Sequence, residues 1–205
     1  MALVFDHIFL DVIDKLKSAL EQSLLEPQQI EERLLSDILS GDLSFETSYS
    51  LPGEQSPPRV RADITLEWPT WSQSAYRSWS IGEPSTEIIE IAVEVSLRLQ
   101  RLKNVPEPSL ITGVIDKIAT NIGKDILEIT GPRCEEVYSA NSTMAQAAVE
   151  ISLQSVFRLE EAVLEGRGEL IGQVSMLAGI IASGLVRLAD LDLAFYQVEE
   201  DDSME

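Results

Sequence analysis

The chain of 205 residues has one cysteine, Cys134, and one histidine, His7. A single thiol cannot build an internal disulfide framework, which fits a reducing, cytoplasmic setting. Zinc sites need several Cys or His ligands, and Ser- or Cys-based catalysis needs a neighbouring base, so neither chemistry has its parts here. His7 reads as a partly buried side chain on a first helix rather than a ligand. No GxGxxG, no GxxxxGK(S/T) and no EF-hand spacing occurs, so no cofactor or metal is expected. Positive charge is scarce too: 15 Lys and Arg against 35 Asp and Glu leave a net charge of −20. Nucleic acid and anionic membrane surfaces are held by Lys and Arg, and both are excluded as main partners on this ground. The start, MALVFDHIFLDVIDK, lacks a basic segment and carries Asp6, Asp11 and Asp14, which argues against a secretory signal.

What the chain has is period two. From Ile89 to Leu99 every odd position is apolar, while Glu90, Ala92, Glu94, Ser96 and Arg98 fall between. Successive strand side chains point to opposite faces, so 86–102 reads as a long inner strand with one dry and one wet side. Residues 43–51 and 59–68 alternate in the same way around the turn PGEQSPP, which predicts an antiparallel hairpin. Ala148-Val149-Glu150-Ile151-Ser152-Leu153 repeats Ala92-Val93-Glu94-Val95-Ser96-Leu97 with one Val–Ile exchange, marking 147–159 as a matching strand. Each copy precedes a polar connection and an apolar helix, as a duplicated unit would. Residues 190–198 read as a last strand, and 199–205, with five acids in seven residues, as a disordered acidic tail.

Spacing of three and four marks the helices. Phe5, Ile8, Phe9, Val12, Ile13, Leu16, Leu20 and Leu24 make an amphipathic helix over 3–25. A second helix is expected over 27–40, with Ile30, Leu34, Ile38 and Leu39 inward and Gly41 at its end; together they form an N-terminal helical part, 1–41. A third runs over 109–130 until Gly131-Pro132, with an irregular stretch and a short edge strand near 134–138 after it. The last helix, 168–188, has no charge from Leu170 to Val186, 17 residues, the short edge of a membrane span. Gln173, three glycines and the flanking Arg167 and Arg187 favour a core helix instead.

Two stretches stand out as candidate surfaces. Aromatics are only 6% of the chain, yet Trp68, Trp71 and Trp79 share a loop, 67–85, with Tyr76 and Arg77. These residue types dominate binding hot spots, so the five are candidate partner contacts, with a structural loop that folds its rings over the core as the rival reading. Gly172, Ser175, Gly179 and Ser183 recur on one face of the last helix and form a candidate oligomer interface.

The fold expected from these elements is α+β: a single domain, 1–198, in which an antiparallel sheet of four to five long strands has amphipathic helices packed on one face. The function expected is a non-enzymatic acidic protein-interaction module, an assembly factor, adaptor or chaperone-like binder, with a basic protein as partner and a homo-oligomeric state. In composition alone the chain resembles acidic secretion chaperones, with no shared motif. Two alternatives stand beside it. One is a carrier of an apolar small molecule between sheet and helices, and the other an enzyme using a carboxylate pair such as Glu90 and Glu94 or Asp190 and Asp192.

Overall fold

Strand periodicity carries through to the computed structural model, which describes residues 7–28, 32–83, 87–120, 127–138, 145–160, 164 and 169–196. Five long strands form: β3 Leu43–Ser50, β4 Val60–Trp68, β5 Glu90–Leu102, β6 Glu128–Tyr138 and β7 Ala145–Arg158. Two short ones, β1 Glu26–Pro27 and β2 Arg33–Ser36, both pair with β3, so the sheet has seven strands rather than four or five. All pairings are antiparallel, in the order β1-β3-β4-β5-β7-β6. Four helices are described: α1 His7–Gln22, α2 Thr70–Ser80, α3 Pro108–Thr120 and α4 Glu169–Ala189. The architecture is α+β, with helices laid on the sheet.

Alternation sorts each strand into a core side and an open side. Val60, Ala62, Ile64 and Leu66 of β4 pair across to Leu99, Leu97, Val95 and Val93 of β5, and these inward side chains, with Trp68 and Ile91, are buried under the helices. α4 lies over β4, β5 and β7, flanked by α1 and α3. It presents Leu170, Val174, Leu177, Ala178, Ile181, Leu185 and Leu188 to the core. It is also the described helix long and apolar enough to cross a membrane by composition; here it lies packed on the sheet. One glycine on this buried side sets how close the layers come. A Cβ on Gly184 would sit 2.7 Å from Leu97 Cδ1, so α4 approaches β5 at a point where a methyl has no room.

The repeated strand segments turn out to be neighbours. In the β5–β7 ladder Ser96 pairs with its counterpart Ser152, while Val95 pairs with Leu153 and Leu97 with Ile151. The echo is therefore arranged about a local two-fold through the two serines. Matched strands at the sheet's centre meet matched neighbours, β4 on one side and β6 on the other.

Four expectations are corrected. The helix over 27–40 is replaced by β1, β2 and a tight turn; Leu34, Ile38 and Leu39 face solvent, and Ile30 lies outside the described residues. Local hydrogen bonding wins there. Asp37 Oδ1 accepts from the backbone N–H of Leu39 at 2.6 Å and of Ser40 at 3.0 Å, closing a turn that Gly41, at φ +77°, completes. Those two bonds hold the Asp37 carboxyl below the usual carboxylate range, against burial and the charge of Asp42. The third helix is described over Pro108–Thr120, with 121–126 outside the described residues; Glu128–Thr130, expected as its end, belong to β6, and 131–144 is not irregular at its start. β6 runs through Gly131-Pro132, which sit in a bulge between Thr130 and Arg133 on the outer strand, where a missing N–H breaks no inner ladder. The loop 67–85 is a helix from Thr70 to Ser80, with 84–86 outside the described residues. The last strand, 190–198, reduces to one bridge between Leu102 and Phe195, with 197–198 and the tail outside the described residues.

Among the described residues, two buried hydroxyls of β3 lack a hydrogen-bond partner. Tyr49 is fully buried on β3, and its Oη, like Thr47 Oγ1, makes no hydrogen bond. Burial, with Glu21 and Glu32 adding to it, pushes the Tyr49 phenol up to about 12. A raised phenol binds its proton more tightly when folded, so its contribution is intact below the unfolded value near 10 and lost as pH climbs through about 12. Tyr49→Phe removes an unsatisfied buried hydroxyl and should gain about 1 kcal/mol at pH 8. It should also flatten the loss of stability on the alkaline side, which urea unfolding at pH 8 and pH 11 would read.

Candidate functional site

The tryptophan stretch is built mainly inward. Trp68 ends β4 at 1% exposure, and its indole Nε1 donates to Ser72 Oγ at 3.1 Å. Phe9 of α1 stacks on it at 5.7 Å, Tyr76 meets it edge-on at 5.7 Å, and Trp79 stacks on Tyr76 at 5.9 Å. Ser72 also bridges to the start of β5, donating to Glu90 O and accepting from Glu90 N. Asp42 Oδ1 accepts from Thr70 N at 2.6 Å, fastening the α2 N-terminus to the β2–β3 turn. Of the five candidate contacts only Trp71, at 44%, and Arg77 are exposed. The rings form a pillar closing the end of the core, and α2 is its clamp.

The small-residue face of α4 points the other way. Gly172, Ser175 and Gly179 are exposed and Ser183 half-buried, and a Cβ on either glycine would meet open space. Ile171, Met176 and Val186 are exposed around them. Of these, Ile171 and Ser175, with Asp14, Lys15, Ser18 and Gln22 of α1, border a shallow groove of about 260 Å³ between the two helices.

The sheet's other face carries no described helix, and its chemistry is set by register. One row across β3, β4, β5, β7 and β6 reads Glu46, Thr65, Glu94, Gln154, Glu128. The next reads Ser48, Asp63, Ser96, Ser152, Thr130, and the third Ser50, Arg61, Arg98, Glu150, Arg133. Alternate residues lie about 7 Å apart along a strand, so an acidic row and an arginine row flank a trough of small hydroxyl side chains. The arginines are matched within the face: Arg61 with Asp63 at 3.2 Å, Arg98 with Glu150 at 3.9 Å, Arg133 with Glu135 at 2.9 Å. Ser48 Oγ donates to Asp63 Oδ1 at 2.6 Å. Among the described residues the acidic row has no such arginine partners.

Beyond that acidic row the face sinks into a groove of about 1070 Å³. Thr65, Ala92, Gln154 and Val156 line it with short or neutral side chains, and Glu67, Glu94, Glu128 and Glu160 stand around it against Arg158 alone. It runs round the end of β7 to Gln173 and Met176 of α4. There β6 has already stopped pairing, at Glu128–Gln154, so Val156–Arg158 has β5 on one side and no second strand among the described residues. The sequence signal for this groove was present in the polar positions of the alternating strands. It was read as a solvated surface, because strand order and register decide which acids converge.

Other chemistry has little to stand on. Among the described residues no three His, Cys, Asp or Glu side chains converge on a metal position. A pocket between sheet and α4, lined by Leu127, Phe157, Leu177 and Ile180, holds about 30 Å³. That is room for a water rather than for a lipid-sized ligand. Glu90 and Glu94 share the open face, four residues apart on β5. No protein-family model matches the chain, and no curated protein matches it.

Proposed function

We propose that the chain is a non-enzymatic protein-interaction module whose open sheet face receives an extended, cationic segment of a partner protein. The observation that carries this reading is the acidic groove ending on the stretch of β7 that pairs, among the described residues, with β5 alone. Among the described residues, four carboxylates against one guanidinium complement Lys and Arg side chains. Away from β5, Val156–Arg158 offers backbone groups for strand addition, the mode by which sheets bind extended peptides, although Arg158 O at its end already accepts from Gln173 Nε2 at 3.4 Å. Alternate side chains of such a segment would point into the groove and away from it. A panel of labelled peptides tests this on the full chain. Alternating Lys–Val and Arg–Thr peptides should bind with micromolar affinity that weakens several-fold from 50 to 300 mM salt. Glu–Val and uncharged peptides of the same length should not bind. Equal binding by all three classes would end the proposal.

A second reading concerns self-association. The exposed outer face of α4, where Ile171, Met176 and Val186 stand around Gly172, Ser175 and Gly179 beside the α1–α4 groove, suits helix packing against a second copy. Gly179→Arg places a long charged side chain into open space on that face, so the fold should be kept while the assembled mass falls to that of one chain. Light scattering of both proteins measures it. A single-chain mass for the unaltered protein would contradict the reading.

A further inference from the structure

At the far end of β5 from the acidic groove, a bulge collects basic groups. The β5–β7 register shifts between Leu99 and Leu102, and Arg101 within that shift adopts φ +61°, a left-handed conformation that a long side chain rarely takes. Its carbonyl accepts from Tyr196 N at 2.8 Å, and Lys103 N donates to Ala194 O at 2.9 Å, so the C-terminal segment is laced along the bulge. Lys103 Nζ lies over the Tyr196 ring at 5.7 Å, and the Arg59 guanidinium lies 5.2 Å from the Phe195 ring centre. Gln100 N donates to Arg59 O, which fixes Arg59 beside the bulge.

These bases are not equally satisfied. Glu54 takes up Arg59 completely: Oε1 accepts from Nη2 at 2.7 Å and from Nε at 3.2 Å, and Oε2 accepts from the Arg59 backbone N–H at 2.9 Å. Burial raises the Glu54 carboxyl, but the Arg59 hydrogen bonds more than offset it and hold it below the usual range. Arg101 has no such carboxylate within ion-pair distance among the described residues, and its Nε is buried with no acceptor. Burial pushes its guanidinium below the usual arginine value, with the Glu54 charge opposing and that of Arg59 adding. Arg61 and Arg98 also have a buried Nε, but each is ion-paired with a carboxylate, whereas half-buried, left-handed Arg101 has no ion pair among the described residues. A buried N–H ordinarily has an acceptor and a desolvated cation a counter-charge, so the element that would complete this corner is an anion.

We propose that Arg101 and Lys103, flanked by Arg59, form an oxyanion site at the end of β5, for a carboxylate or phosphate group. The guanidinium fork supplies paired donors to two oxygens, and the ammonium supplies a point charge. Phosphate supplied from solution and the acidic residues 199–202 of this same chain present the same chemistry. The site is separate from the acidic groove and does not depend on it.

The test is a titration of the full chain with inorganic phosphate at constant ionic strength, following the Arg101 side-chain Nε–H resonance and the thermal midpoint. The expected result is a saturable shift of that resonance and a rise in midpoint. Arg101→Gln should bind phosphate at least about tenfold more weakly, as loss of a charge-assisted pair implies. Lys103→Gln, which touches no buried group, is the companion variant and should weaken binding by a smaller factor. In a chain carrying Glu199→Gln, Glu200→Gln, Asp201→Asn and Asp202→Asn, tighter phosphate binding identifies the chain's own carboxylates as the competitor. Unchanged binding identifies an external anion. A linear, unsaturable response in both chains, equal to that of chloride, overturns the proposal.

Discussion

Reversing two groove charges, Glu94→Lys with Glu128→Lys, is expected to weaken binding of a Lys–Val peptide about 100-fold, roughly 2.7 kcal/mol, while the unfolding midpoint stays put. Glu94 and Glu128 both pair with Gln154 on the β7 ladder, so the two lie in one row across the groove. Both are exposed at the surface, and among the described residues neither forms an ion pair of the face. Surface substitutions of this kind change stability by within about 0.5 kcal/mol, so affinity and fold separate cleanly. The same reversal should remove most of the salt dependence, since at about 0.1 M salt charges are screened beyond about 10 Å. Reversing Glu83, also exposed but on the α2–β5 connection, is the control and should leave affinity within a factor of two. Isothermal titration of the three proteins, unaltered, doubly reversed and Glu83-reversed, reads all of this.

Trp68→Ala is expected to lose about 3–5 kcal/mol of stability, as full truncation of a buried aromatic does. Trp68 sits at 1% exposure between Phe9 of α1 and Tyr76 of α2. Its removal opens a cavity and undoes the ring pillar that joins a helix, the sheet and the clamp. It also leaves Ser72 Oγ with only the Glu90 backbone to bond. Against a typical total of 5–15 kcal/mol, that loss leaves a marginal protein. Trp71→Ala, one turn away and exposed, should cost no more than about 0.5 kcal/mol. Urea unfolding monitored by circular dichroism separates the two. A Trp68 variant as stable as the Trp71 variant would mean the pillar is not part of the core.

The contrast between these two tryptophans marks where reading the sequence stopped. Composition found the cluster, but Thr70–Ser80 within it is a helix because Thr70 and Gln73 reach back to Asp42, Gly41 and Trp68 O, contacts made from about thirty residues away as well as locally. The strands were legible because their alternation is local: Leu43–Ser50, Val60–Trp68 and the AVEVSL pair stand where period two put them. The stretch 27–40 misled because Leu34, Ile38 and Leu39 have helical spacing, while Asp37 and Gly41 close a turn and β3 offers an edge to pair with. The candidate site was hidden for a related reason. Glu46, Glu94 and Glu128 are far apart in sequence and form a row only once five strands are in register. The Arg101 bulge left no pattern at all, since a left-handed arginine is invisible to periodicity.

The most direct measurement of the central claim is an amide chemical-shift map of the full chain titrated with the Lys–Val peptide. The account predicts shifts concentrated on Thr65–Glu67 of β4, Ala92–Glu94 of β5 and Gln154–Arg158 of β7, with new protection from hydrogen exchange along Val156–Arg158. Shifts centred instead on Trp71 and Arg77, or on the α1–α4 groove, with the open face unmoved, would contradict it.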